Sequence, residues 1–112
     1  MSFKLNIVPG TLTLAQLRQV QQGPVELSLD NSAIAGIEKS AACVADIIKQ
    51  NRVVYGINTG FGPLCDTQIS PAETALLQKN LLITHAVGVG EPIAKAISKL
   101  MLITKVHALS QG

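Results

Sequence analysis

The chain has 112 residues, a formal net charge of +2, 47% hydrophobic residues, only 14% charged ones and 3% aromatics without tryptophan. That length allows one domain at most, and the apolar content excludes a disordered chain. The basic residues are scattered, with no run and no aromatic interleaving, which argues against nucleic acid as a partner.

So little charge leaves a small domain short of residues to cover its surface, which implies that part of it is covered by something else. No apolar run approaches the roughly 20 residues that cross a bilayer, and the N-terminus lacks a signal-peptide core, so no membrane association is expected. Cys43 and Cys65 have neither CxxC spacing nor the number for a disulfide framework. They are read as reduced thiols of a cytoplasmic protein, with Cys43 on the apolar side of a helix.

Residues 4–8 read as a short strand stopped by Pro9-Gly10. Thr13 and Gln16 have capping-box spacing, so a short helix is predicted to about Gln22, before Gly23-Pro24. Residues 25–29 alternate apolar and polar, like a second strand that could pair with the first. Asp30 or Ser32 then caps a longer helix whose apolar face is Ile34, Ile37, Ala41, Val44 and Ile48. Gly36 inside it suggests a close approach by another helix, and Asn51 ends it.

Val54-Tyr55-Gly56-Ile57-Asn58-Thr59-Gly60-Phe61-Gly62-Pro63 follows, with three glycines in seven residues and the only tyrosine of the chain. So much backbone freedom predicts an irregular loop, mobile from about Ile57 to Thr67. Ser70-Pro71-Ala72-Glu73 is a helix start with an N-cap serine, and that helix continues through Leu76, Leu77, Leu81 and Ile83 to about Ala86. Gly88-Val89-Gly90 breaks it. Pro92 is expected to start a last helix with Ile93, Ile97, Leu100, Met101 and Thr104 on one side. That helix runs almost to Gly112 without a polar tail, so the chain looks cut. The result is a mainly α chain with two short strands and a glycine-rich loop.

The glycine spacing does not make a phosphate site. Gly62 is followed by Pro63-Leu64 rather than Gly-Lys-Ser/Thr, and the next helix begins too late for a dinucleotide fingerprint. No nucleotide is expected. No metal is expected either, because His85 and His107 lie on different helices and no cysteine accompanies them closely.

Tyr55 is either a wedged loop tyrosine or a general base on a segment able to move over a pocket. A phenol with a pKa of about 10 is mostly protonated at neutral pH, so a tyrosine base needs cations or donors around it, and this chain supplies few. His85, near a helix end, is either bonded there or positions a polar substrate. His107, mid-helix without a partner motif, reads as structural.

Taken together, the Tyr55–Gly62 loop, Leu77-Gln78-Lys79-Asn80-Leu81-Leu82, and Thr84-His85-Ala86-Val87-Gly88-Val89-Gly90-Glu91-Pro92 resemble the N-terminal part of the aromatic amino acid ammonia-lyases. The match is best to the members that act on histidine. It is specific over residues 52–112, and only a matter of pattern over residues 1–51.

The resemblance implies a helical-bundle fold and a homotetramer with sites built from several subunits. It implies elimination of ammonia from an L-amino acid, with a methylidene-imidazolone electrophile formed autocatalytically from an Ala-Ser-Gly tripeptide. It assigns Tyr55 as the base and Gly56, Asn58, Thr59, Gly60, Phe61 and Gly62 as a mobile active-site loop. It puts His85 in the substrate side-chain pocket, which favours L-histidine, and so urocanate as product, with L-tyrosine second.

The Ala-Ser-Gly tripeptide is absent from these residues and lies downstream in the family. Residues 1–112 are therefore expected to be the N-terminal segment of a longer chain and inactive alone. The competing readings are a tyrosine ammonia-lyase or aminomutase on the same scaffold, and a standalone helical interaction module.

Overall fold

A computed structural model describes residues 2–112. The chain is mainly α, as expected, and folds as two compact units: residues 2–41 with Glu91–Gly112, and Ala42–Gly90.

The first unit starts with β1 (Phe3–Ile7), α1 (Leu14–Gln22) and β2 (Val25–Leu29). The two strands do pair, and they pair in parallel, with Phe3 opposite Val25 and Ile7 opposite Leu29. A parallel pair cannot be closed by a tight turn, and α1 supplies the crossover. Thr13 accepts from the Gln16 amide while the Gln16 side chain takes the Thr13 amide, so the capping box forms as read.

Leu5 and Ile7 from one face of β1 meet Val20 of α1 and Ile103 of the last helix, each at most 3% exposed. That helix, α4 (Lys95–Leu109), presents Leu100, Ile103 and His107 to this core rather than the predicted Ile97 and Met101, which are exposed. The buried stripe is thus offset from the expected one, because α1 and β1 cover only the neighbouring face. α4 also begins three residues after Pro92, with Ala94 as its N-cap.

Two polar ties close this unit. His107 Nε2 accepts from the Leu12 amide at 3.4 Å, and Lys99 donates to the Gly23 carbonyl just after α1. Gly36 does meet a close neighbour: a Cβ there would stand 3.4 Å from the Gln111 carbonyl, just beyond α4.

Asp30 caps a short 3-10 turn, Asn31–Ala33, and not the following helix itself. That helix, α2 (Ile34–Lys49), continues directly from the turn. Its predicted stripe is largely uncovered, with Ile34 and Val44 exposed, and its buried residue is Ile47. Cys43, expected on the apolar side, is exposed, and both cysteines are free thiols. Asn51 ends the helical segment in the left-handed conformation, φ 55°, which asparagine tolerates better than most residues.

In the second unit α3 runs Pro71–His85, one residue short of the predicted end, with Ala86 as its C-cap. Ser70 is the N-cap residue, but its hydroxyl donates to the Glu73 carboxylate at 2.7 Å and no side chain caps the first turn. Proline at the first position leaves one fewer amide in need of a cap. Among the described residues no helix is long and apolar enough to cross a membrane.

Candidate active site on the glycine loop

Asn58 is where the loop is built. It is 2% exposed. Its side-chain Nδ2 donates to the Arg52 carbonyl at 2.7 Å, and Oδ1 accepts from the Val54 amide at 3.0 Å. Its own carbonyl accepts from the Ile69 amide at 2.8 Å, and the Gly60 amide donates to the Thr67 carbonyl at 3.0 Å. An antiparallel bridge between Thr59 and Gln68 lies between those two bonds.

The segment expected to be irregular is therefore tied at its foot by a short ladder. Its tip carries a turn of 3-10 helix, Gly62–Leu64. Glycine chemistry makes this possible at two kinds of position. Gly56 and Gly62 have φ of 82° and 56°. At Gly60 a Cβ would stand 2.6 Å from the Leu64 side chain and carbonyl, so no larger residue fits without movement.

Tyr55 sits on the outside of this structure. It is 62% exposed and meets Phe61 edge-to-face, with centroids 5.7 Å apart and planes at 67°. Among the described residues its hydroxyl takes no hydrogen bond. The backbone after it is held from α3, where Gln78 Nε2 donates to the carbonyls of Gly56 and Ile57, each at 3.3 Å. Gly56, Ile57, Gln78, Thr74, Val44 and Ile48 together line a mostly apolar groove of about 340 Å³.

His85 closes α3 and is exposed. Its Nδ1 lies 2.8 Å from the Leu81 carbonyl, and a carbonyl can only accept, so Nδ1 carries the proton. Nε2 takes no hydrogen bond among the described residues, and when unprotonated it can accept from an N–H or O–H of a ligand. His85 follows Gln78 by seven residues, two helical turns, so both occupy one face of α3 about 10 Å apart along its axis. Tyr55, Phe61 and Asn58 are brought together in the loop, and Gln78 and His85 share the helix that braces it.

His107 is structural, as read, and belongs to the other unit. Gln78 stood in the sequence only as part of the Leu77–Leu82 block that carries the resemblance, with no sign that it reaches the loop. Asn58 was visible as a loop residue, but not as a buried one. Among the described residues no group of three metal-ligating side chains comes together.

The loop and helix have known counterparts. Residues 12–112 match the family model described as aromatic amino acid lyase. The chain is 53% identical over 108 residues to the histidine ammonia-lyase of Pseudomonas fluorescens (strain SBW25), and 47% identical to that of Vibrio vulnificus (strain CMCP6). In each case 96% of this chain is covered, and the chain spans about a fifth, 21%, of the relative's length. The crystal structure of a tyrosine aminomutase from Streptomyces globisporus is similar at a TM-score of 0.88 and 27% identity, over 97% of this chain and 21% of that one.

The likeness therefore extends through most of residues 1–51, where the motifs had given only a pattern. Because the family match runs unbroken from residue 12 to residue 112, across both units and the loop they contain, the chain belongs to the aromatic amino acid lyase family.

Proposed function

We propose that these residues are the N-terminal part of a histidine ammonia-lyase, which converts L-histidine to trans-urocanate and ammonia. The observation that carries this reading is the 53% identity to a curated histidine ammonia-lyase over nearly the whole chain. The geometry agrees: a phenol without an internal partner stands on a braced loop, and an imidazole on the helix behind it has one nitrogen free.

In this reading Tyr55 Oη, as phenolate, removes a proton from the substrate Cβ. The Cα=Cβ bond forms as the Cα–N bond breaks, and the nitrogen leaves as ammonia. The family's methylidene-imidazolone supplies the electrophile, and its Ala-Ser-Gly source is not among these residues. What this chain contributes is the base, the loop that shields it from water and part of the side-chain pocket. The 112 residues alone are inactive for lack of that tripeptide. The whole protein is a cytoplasmic homotetramer whose subunits complete the site.

His85 Nε2 accepts from the substrate imidazole. A phenol would offer a hydrogen of the same kind, and the likeness to a tyrosine aminomutase structure makes L-tyrosine the second reading. The test is to assay the full-length protein on both amino acids, with His85→Leu beside it. The expected result is turnover of L-histidine, with KM raised about 3- to 10-fold in the variant by loss of one hydrogen bond. Turnover of L-tyrosine alone would overturn the substrate assignment.

A further inference from the structure

Two carboxamides hydrogen-bond the backbone on either side of Tyr55, and neither is hydrogen-bonded to its side chain. Asn58 holds the approach to it, through the Arg52 carbonyl and the Val54 amide. Gln78 holds the departure from it, through the Gly56 and Ile57 carbonyls. The orientation of each amide is settled by what it faces. Gln78 points at two acceptors, so its nitrogen must be the bonded atom. Asn58 faces a carbonyl with one end and an N–H with the other.

One grip is buried inside the loop and the other comes from a helix of fifteen residues. Between them stands a residue flanked by a glycine in the left-handed region, whose backbone would otherwise be free to swing. An exposed side chain needs none of this to stay folded. A base that must meet a β-carbon does, since a misplacement of about 1 Å can slow a step by about 10²-fold.

We propose that Asn58 and Gln78 are positioning residues that act as a two-sided clamp, fixing the backbone of Tyr55 so that its phenol reaches the substrate β-proton. This rests on the reading of Tyr55 as the base, and the test separates the two.

Asn58→Asp keeps the size of the side chain and the acceptor for the Val54 amide, but puts a carboxylate oxygen against the Arg52 carbonyl. Gln78→Met keeps the length and removes the donor. Each is made in the full-length protein, alone and with Tyr55→Phe, and kcat and KM for L-histidine are measured. So is the kinetic isotope effect with substrate deuterated at Cβ. The isotope effect does not depend on how much enzyme is folded, so a merely structural role leaves it unmoved.

The expected result is a kcat lowered by about 10- to 100-fold in each single variant, with KM little changed and a larger isotope effect. The Tyr55→Phe/Gln78→Met double variant should be no slower than Tyr55→Phe, because both changes remove the same contribution. If Asn58→Asp does not fold, Gln78→Met decides the question, since Gln78 is only half-buried.

Unchanged kcat and isotope effect beside an inactive Tyr55→Phe would overturn the clamp and leave the base assignment standing. Full turnover by Tyr55→Phe would overturn both. Losses in the double variants that multiply would also overturn the clamp, by showing that the amides do not act through Tyr55.

Discussion

Residues 2–41 with Glu91–Gly112 bury Leu5, Ile7, Val20 and Ile103 against one another, with Ser110 their one buried polar residue, whereas Ala42–Gly90 buries Asn58, Thr59 and Thr74 and one large apolar side chain, Ile47. The first unit is held by apolar side chains from two helices and a strand. The second is held largely by amides and hydroxyls satisfied within the loop and at the start of α3, where Thr74 donates to the Ser70 carbonyl at 3.0 Å. Apolar burial is strong but non-directional, while a buried hydrogen bond fixes atoms at a stated distance and angle. A unit that must only be stable can use the first means. A unit that must present one side chain in one place needs the second.

Three substitutions would break or sharpen this contrast. The largest effect on stability is expected at Ile103→Ala, which empties a site only 1% exposed in the apolar unit. A loss of about 2–5 kcal/mol is expected in thermal or urea melts of the full-length protein, with the substrate preference unchanged. Gly60→Ala comes next. It places a methyl 2.6 Å from Leu64 and should cost about 1–3 kcal/mol. Unlike the first, it should lower kcat in the protein that remains folded, because the distortion falls inside the Tyr55 loop. If Ile103→Ala lowered kcat per folded molecule as much as Gly60→Ala, the division of labour would be wrong.

The smallest effect concerns Asp30, whose carboxyl is held below its ordinary value of 3.8 by hydrogen bonds from the Ser32 hydroxyl, the Ser32 amide and the Asn6 side chain. A lowered folded-state value means that the stabilisation is present above the unfolded value and is lost as pH falls through the folded one. Asp30→Asn should therefore lower the melting temperature slightly near neutrality. The difference from the parent should shrink as the pH falls through the lowered folded-state value and the carboxylate takes up its proton. A difference that persisted below that value would assign the effect to shape, not charge.

Local chemistry decided how much was legible beforehand. The capping box at Thr13 and Gln16, the break at Asn51 and the glycine loop are set by residues close in sequence, and they stand where the sequence put them. The apolar faces of α2 and α4 were displaced because periodicity says that a helix has a sticky side, not which neighbour covers it. Ile34, Val44, Ile97 and Met101 remain exposed, consistent with a chain that spans only a fifth of its relatives' length. Within the candidate site, Tyr55 and His85 were recognisable from motifs. The clamp was not, since nothing in a sequence says that Asn58 folds back onto Arg52 and Val54, or that Gln78 reaches Gly56 across 22 positions.

The most direct test of the central claim is the turnover of L-histidine by the full-length protein and its Tyr55→Phe variant, followed by the absorbance of the conjugated acid, with circular dichroism confirming equal folding. Tyr55 is 62% exposed and its hydroxyl bonds nothing among the described residues, so the fold should not notice the change. Loss of turnover by about 10²- to 10⁴-fold with folding intact is expected of a lost general base. Turnover equal to that of the parent would contradict the account and return Tyr55 to an ordinary loop residue.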